Sequence, residues 1–410
     1  MTTPRRPSPG GAAIGLVSVI ALLGVIAILS KTASGNPELD STSDTTAFGP
    51  LTTTTEPPLL ASSENRVDVP WLLVPNPVLD PSLAGTTMIW NGTELLYVCL
   101  DGVGVDCIGG WAYDPNTDLQ RRLLDFDPGR RGGTAVWTGE DFVVVRGITT
   151  AYDPFSVEWR TATPAPELGR PPIGTWTGSE VIFYGSSDTL AASGTAYDPA
   201  SDTWSNVAPT PLEPVIDPIV AWSGSEMYVL GGYAFDVDGR TWSQSGAAYE
   251  RETDTWRSLP PLPDDRTLSG AVGGIVGDEL VVVGVEGRNA VAEGDTEDRP
   301  AMAGLAYSPA TNTWREIAAP RGPSGNLDVV PGSMAAVSHG RQLAVYFPDG
   351  PNGQATMGFY RASSDSWTFV DGMPLHARVP SLVSGQLGSG ERFVAYLTDA
   401  GTVILPDDRR

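Results

Sequence analysis

Lysine is almost missing from this sequence: Lys31 is the only one in 410 residues, and the basic side chains fall so far short of the acidic ones that the formal charge is −24 at pH 7. A field that negative repels phosphate backbones and anionic lipid, which argues against a nucleic-acid partner. Histidine and cysteine are equally scarce, at two each. The sequence holds no phosphate-binding loop, zinc cluster or nucleophile elbow. Charged residues make up only 18% while apolar residues reach 41%, so a sizeable core is available and disorder of the whole chain is excluded. What is abundant is turn chemistry. The 47 glycines and 36 prolines are about one residue in five, against roughly one in eight in an average domain. That composition argues against a helical or doubly wound fold.

One long apolar run exists. Gly11 to Leu29 carries no charge, follows Arg5 and Arg6, and precedes Lys31. Such a run is long enough to cross a hydrocarbon core of about 30 Å. A cleavable signal peptide has a shorter apolar region and a small-x-small site, whereas here the nearest candidates, Ala33 and Ser34, place Lys31 or Thr32 upstream. The expectation is a signal anchor over 11–30, with 1–10 cytoplasmic and the remainder extracytoplasmic. Residues 31–65, rich in Ser, Thr and Pro without hydrophobic periodicity, read as a disordered linker of the kind that is often O-glycosylated.

Beyond the linker the chain repeats. Tyrosine is followed seven residues later by tryptophan at Tyr152 and Trp159, Tyr197 and Trp204, Tyr249 and Trp256, Tyr307 and Trp314, and Tyr360 and Trp367. Tyr113 begins a sixth copy in which Gln120 replaces tryptophan. Ahead of the tyrosines stands Trp-x-Gly, at Trp90, Trp137, Trp176 and Trp222, with degenerate copies at Ile275-Val276-Gly277, Ser338-His339-Gly340 and Gly388-Ser389-Gly390; the spacing averages about 50 residues. Each unit reads as a four-stranded antiparallel sheet. The first strand ends at Trp-x-Gly, the apolar second is buried between layers, and an Asp-Pro turn joins the third, with its tyrosine, to the fourth, with its tryptophan. A proline exit such as Trp256-Arg257-Ser258-Leu259-Pro260 suits an outer edge. One such sheet cannot cover both its faces, but several around an axis can.

These features resemble the kelch-repeat family of β-propellers, part of the galactose-oxidase central-domain-like superfamily. The strand ending in Gly231-Gly232, Tyr249, Trp256, Pro260-Pro261-Leu262-Pro263 and Arg266 follow the kelch order, although a double glycine recurs clearly only at Gly109-Gly110. The expected fold class is therefore all-β, a kelch-like propeller over 66–410 with seven blades and six as the alternative. Only two strands remain after Gly390, near Phe393 to Leu397 and Thr402 to Leu405, so the segment Val67 to Pro75 is expected to close the last blade.

Some kelch propellers are copper radical oxidases that need two histidines, tyrosines and a cysteine linked to one of them. Here His339 falls at a first-to-second-strand turn and His376 in a fourth-to-first connection, on opposite faces, so one metal cannot take both and each reads as a surface or turn residue. No cofactor is expected. Asp114, Asp153 and Asp198 are explained by their turns, and Asp236 to Trp242, faintly like a sialidase aspartate box, by a hairpin. Cys99 and Cys107 flank a second-to-third-strand turn and could form a disulfide.

The expected function is a membrane-anchored extracytoplasmic module that binds or scaffolds a protein or glycan, the alternative being a carbohydrate-active or oxidising enzyme. Second-to-third and fourth-to-first connections share one face, where length varies most, at Tyr233 to Arg240, Glu286 to Met302 and Asp349 to Gln354. Arg130, Arg131, Arg170, Arg266, Arg321 and Arg378 follow the proline exits there and could grip an acidic glycan or peptide; the competing reading pairs them with acids of neighbouring blades.

Overall fold

The computed structural model describes residues 71–74, 86–99, 110–123, 133–145, 148–166, 168, 172–187, 190–236, 239–287, 301–322, 327, 329–348, 354–374, 382–398 and 401–407; the proposed anchor and linker lie outside the described residues. Among the described residues, thirty strands form seven four-stranded antiparallel sheets and one hairpin. After β1 (Leu72–Val74), blade 1 contains β2 (Thr86–Trp90), β3 (Leu95–Cys99), β4 (Gly110–Asp114) and β5 (Leu119–Arg122). Blade 2 has β6 (Thr134–Trp137), β7 (Phe142–Val145), β8 (Thr149–Asp153) and β9 (Glu158–Ala162). In blade 3 are β10 (Ile173–Trp176), β11 (Val181–Ser187), β12 (Leu190–Asp198) and β13 (Thr203–Asn206). Blade 4 runs through β14 (Ile219–Trp222) and β15 (Glu226–Leu230), departs into the hairpin β16 (Tyr233–Asp236) and β17 (Gly239–Trp242), and resumes with β18 (Gly246–Glu250) and β19 (Thr255–Ser258). Blade 5 comprises β20 (Leu268–Val276), β21 (Glu279–Glu286), β22 (Met302–Ser308) and β23 (Thr313–Ile317). Blade 6 holds β24 (Ala335–His339), β25 (Gln342–Phe347), β26 (Ala355–Arg361) and β27 (Ser366–Met373). Blade 7 holds β28 (Leu382–Gln386), β29 (Arg392–Thr398) and β30 (Gly401–Pro406), and its outermost strand is β1, with Leu72 opposite Ile404.

The inner strands β2, β6, β10, β14, β20, β24 and β28 each touch the next, and β28 returns to β2, so a seven-bladed propeller closes. The six-bladed alternative is thereby set aside. Seven apolar clusters fill the seven seams between blades. Second strands are buried on both faces, as at Phe142–Val145, where the run Phe-Val-Val-Val is covered throughout. Gly92, Gly139, Gly178 and Gly224 give Trp-x-Gly its glycine: each turns the chain at φ 94° to 104°, where a Cβ is strained. Among the described residues no helix is long and apolar enough to cross a membrane.

Each Tyr and Trp pair is a direct cross-strand pair, with ring centroids 4.9 to 5.4 Å apart. Five residues after the tyrosine, Asp202, Asp254, Asn312 and Asp365 sit in the left-handed region, and each accepts the tyrosine hydroxyl at 2.7 to 2.8 Å. The same carboxylates reach the preceding blade. Asp202, Asp254 and Asp365 accept the amides of Thr163, Ala208 and Ala318 at 2.9 Å, while Trp204, Trp256 and Trp367 donate Nε1 to the carbonyls of those same residues. Both backbone groups leaving an outer strand are thus held by the next blade.

Burial pushes the hydroxyls of Tyr197, Tyr249 and Tyr360 up to about 12, so they remain donors. Hydrogen bonds hold the partner carboxylates below the usual Asp range: the Thr163 amide and Tyr197 at Asp202, Tyr249 and the Ala208 amide at Asp254. A carboxylate that titrates lower when folded stabilises the fold above its unfolded value and loses that contribution as pH falls through the folded one. Urea midpoints are therefore expected to drop below about pH 4. Asp254→Ala should cost about 1–2 kcal/mol at neutral pH. Asp254→Asn, which preserves an acceptor as Asn312 does, should retain most of the stability and weaken the acid limb.

Candidate binding face

Two of the six arginines singled out in the sequence, Arg266 and Arg321, fall among the described residues. Arg130, Arg131, Arg170 and Arg378 lie outside the described residues, and Arg321 is exposed beyond the outer strand of blade 5. Arg266, placed by the 3-10 turn Pro263–Asp265, is held by two carboxylates of blade 5: Nε lies 3.3 Å from Glu286 and Nη2 2.6 Å from Glu316. At Arg266 the pairing with neighbouring acids, not an open anion grip, is what the fold provides. Cys99 ends β3 and the loop to β4 carries Cys107; the side chains of both cysteines lie outside the described residues, as does His376.

His339 corrects the surface reading. It ends β24 beside the turn as expected, yet it is fully buried, with Nδ1 2.8 Å from Ser384 Oγ of blade 7 and Nε2 2.9 Å from Asp407 Oδ1. Asp407 also accepts Arg392 Nε at 3.2 Å, so this histidine fastens blade 6 to blade 7, the blade that β1 completes. His339 follows Ser338, which pairs with Leu343 as Trp137 pairs with Phe142 and Trp222 with Met227 in other blades. Asp153 and Asp198 do serve their turns, accepting the amides of Phe155 and Ala200 and the hydroxyls of Ser156 and Ser201, bonds that keep both carboxylates below the usual range. Asp114 caps its turn likewise through Asn116 and Thr117. No group of three or more His, Cys, Asp or Glu suited to a metal occurs among the described residues.

The feature that stands out is the hairpin inserted between the second and third strands of blade 4. Tyr233 pairs with Trp242 and Phe235 with Arg240, so all four side chains share one face of the ribbon. The guanidinium of Arg240 lies 4.2 Å above the Tyr233 ring, 5.3 Å from Trp242 and 5.9 Å from Phe235. Trp242 stands against Gly332 in the blade 5 to 6 connection, where an added Cβ would meet its ring at 3.2 Å, and β17 also touches inner strand β20. The base is tied at Tyr233, which exchanges backbone hydrogen bonds with Ile216 at 2.8 and 2.9 Å. Tyr233 is half-buried, and burial together with Asp217 raises its hydroxyl. Phe235 is 66% exposed and Val330, two residues before Gly332, 69%. This hairpin, which meets the blade 3 to 4 connection at Ile216 and the blade 5 to 6 connection at Gly332, presents an exposed aromatic and a stacked cation.

Beside it opens a cleft of 430 Å³ lined by Leu212, Gln244, Pro260, Leu262 and Arg266. Gln244 links the two, donating to the Trp242 carbonyl at 3.3 Å and accepting the Leu268 amide at 2.8 Å. The alternation Tyr-x-Phe, then Arg-x-Trp, is the period-2 signal by which the sequence could have disclosed this aromatic face.

No family model matches the chain, and no curated protein does. Among solved structures it is similar to one described as "Structure of YjhT", with a TM-score of 0.48 and 14% identity over 73% of this chain and 99% of that one.

Arg266→Ala tests the reading of the paired arginine. It should lower stability by up to about 1 kcal/mol, a difference that 1 M salt narrows, as measured by urea titration.

Proposed function

We propose that this protein is a kelch-type propeller that acts outside the cytoplasm, anchored by residues 11–30, as a binding or scaffolding module for a protein or glycan. The observation that carries the reading is the hairpin β16–β17: its Phe235 is exposed while Arg240 is stacked on rings. Exposed aromatics of this kind are the anchors of recognition surfaces rather than of cores. A guanidinium stacked on rings keeps its N–H edge available for a carboxylate or sulfate, which supports an acidic ligand at this hairpin rather than at the paired Arg266. The kelch reading is supported by Gly231-Gly232, both left-handed at φ 71° and 80°, which turn the chain into the hairpin.

The test is binding of the full chain to arrays of glycans and peptides that include acidic members. Wild type should retain an acidic ligand, and Phe235→Ala and Arg240→Ala should each lose roughly tenfold in affinity with unchanged unfolding midpoints. Absence of any ligand, or binding indifferent to both substitutions, would overturn the reading. Its topology has a separate check: protease added to intact cells should remove the propeller and leave a short membrane-bound stub. In that compartment Cys99 and Cys107 should be bridged, so intact-mass analysis after alkylation without reduction should find neither cysteine modified.

A further inference from the structure

The turn between the third and fourth strands of blade 2 breaks the repeat at two positions. Five residues after the tyrosine, the other turns carry Asp118, Asp202, Asp254, Asn312 and Asp365, all left-handed, with φ from 44° to 57°. Blade 2 adopts the same backbone, φ 59°, with Val157. A β-branched residue is among the least suited to that region, where Asp and Asn are the non-glycine residues that tolerate it. The position also forfeits the side-chain acceptor that fastens blades 3, 4 and 6 to their predecessors. Two residues earlier, Phe155 occupies the place of Asn116, Ala200, Glu252, Ala310 and Ser363 and is 83% exposed. Two neighbouring departures, both toward exposed apolar side chains and one against backbone preference, are what a functional surface leaves behind in a repeat that otherwise obeys its local rules.

The surroundings define the partner. The same side of blades 2 and 3 opens into a cleft of 690 Å³ lined by Glu140, Asp141, Glu180, Asp198 and Trp176. Asp141 and Glu180 are paired with Arg160 and Arg251, while Asp153 and Glu158 flank the apolar pair and add to the acidic surface. A second copy of this chain would bring 22 further basic side chains against 44 acidic ones over 66–410, and anionic lipid is repelled for the same reason.

We propose that Phe155 and Val157 form a docking knob for a partner protein that offers an apolar pocket rimmed by lysine or arginine. This surface lies on the face opposite the hairpin of blade 4 and is independent of it. The knob supplies apolar burial and the acids supply steering and orientation.

The probe is a displayed library of random peptides panned on the full chain. Enriched peptides should combine apolar residues with Lys or Arg and bind less tightly as salt rises. Phe155→Ser should weaken them tenfold or more, and so should Val157→Asp, while Ala310→Ser at the equivalent turn of blade 5 changes nothing. Val157→Asp should at the same time raise the urea midpoint, because it restores the residue that this backbone favours; binding lost while stability is gained cannot come from misfolding. The proposal is overturned if no peptide is enriched, if enriched peptides are acidic or bind Phe155→Ser undiminished, or if Val157→Asp lowers the midpoint. Dimerisation of the wild type that Phe155→Ser abolishes in sedimentation would overturn it in favour of a second copy.

Discussion

A single backbone residue, held through both its amide and its carbonyl, is what joins one sheet to the next. As the chain leaves an outer strand, its carbonyl takes the indole N–H of the next blade and its amide meets a carboxylate from the same turn, at Thr163, Ala208 and Ala318 alike. The grip requires a residue that accepts hydrogen bonds and tolerates a left-handed backbone, which narrows the choice to Asp or Asn. It also fixes the interval from tyrosine to tryptophan, because that one tight turn must bring tyrosine, carboxylate and indole together. Pro260 shows the constraint by exception: it has no N–H to offer, Trp314 still takes its carbonyl at 2.9 Å, and the turn residue there is the neutral Asn312.

A second layer of the same seam uses charge. Arg121, Arg257 and Arg315, each one residue after the Trp position, bind Glu94, Glu226 and Glu279 bidentately at 2.6 to 3.0 Å. Arg121 and Arg257 extend to the hydroxyls of Tyr152 and Tyr307 in the following blade at 3.0 and 2.7 Å. Where Ser205 follows Trp204 instead, Arg251 from blade 4 reaches back to Glu180. Individually such half-exposed pairs contribute little, but each orients a tyrosine whose ring is core. Much of the arginine is thereby committed to seams, which leaves the surface to the acids.

Against this regularity the functional candidates are departures. The blade 4 hairpin adds a cross-strand aromatic face between the second and third strands, and the blade 2 turn replaces a grip residue with valine and exposes phenylalanine. Both sit on connections, where the repeat constrains the chain least, and on opposite faces of the ring.

The all-β class, the blade boundaries and the closing strand were legible in the sequence because each rests on short-range chemistry. Trp-x-Gly encodes a left-handed turn, Asp-Pro encodes the next, and residues 72–74 carry the pattern of a missing outer strand. The interval of seven between tyrosine and tryptophan is itself the register of a cross-strand pair. What no local pattern could supply was the identity of partners distant in the chain. That Arg266 is spent on Glu286 and Glu316, that His339 is buried against Ser384 and Asp407, and that Trp242 leans on Gly332 follow from how blades 4 to 7 come together. Turn signals depend on a few adjacent dihedrals, whereas a side chain's charge partner depends on which seams the closed ring brings into contact.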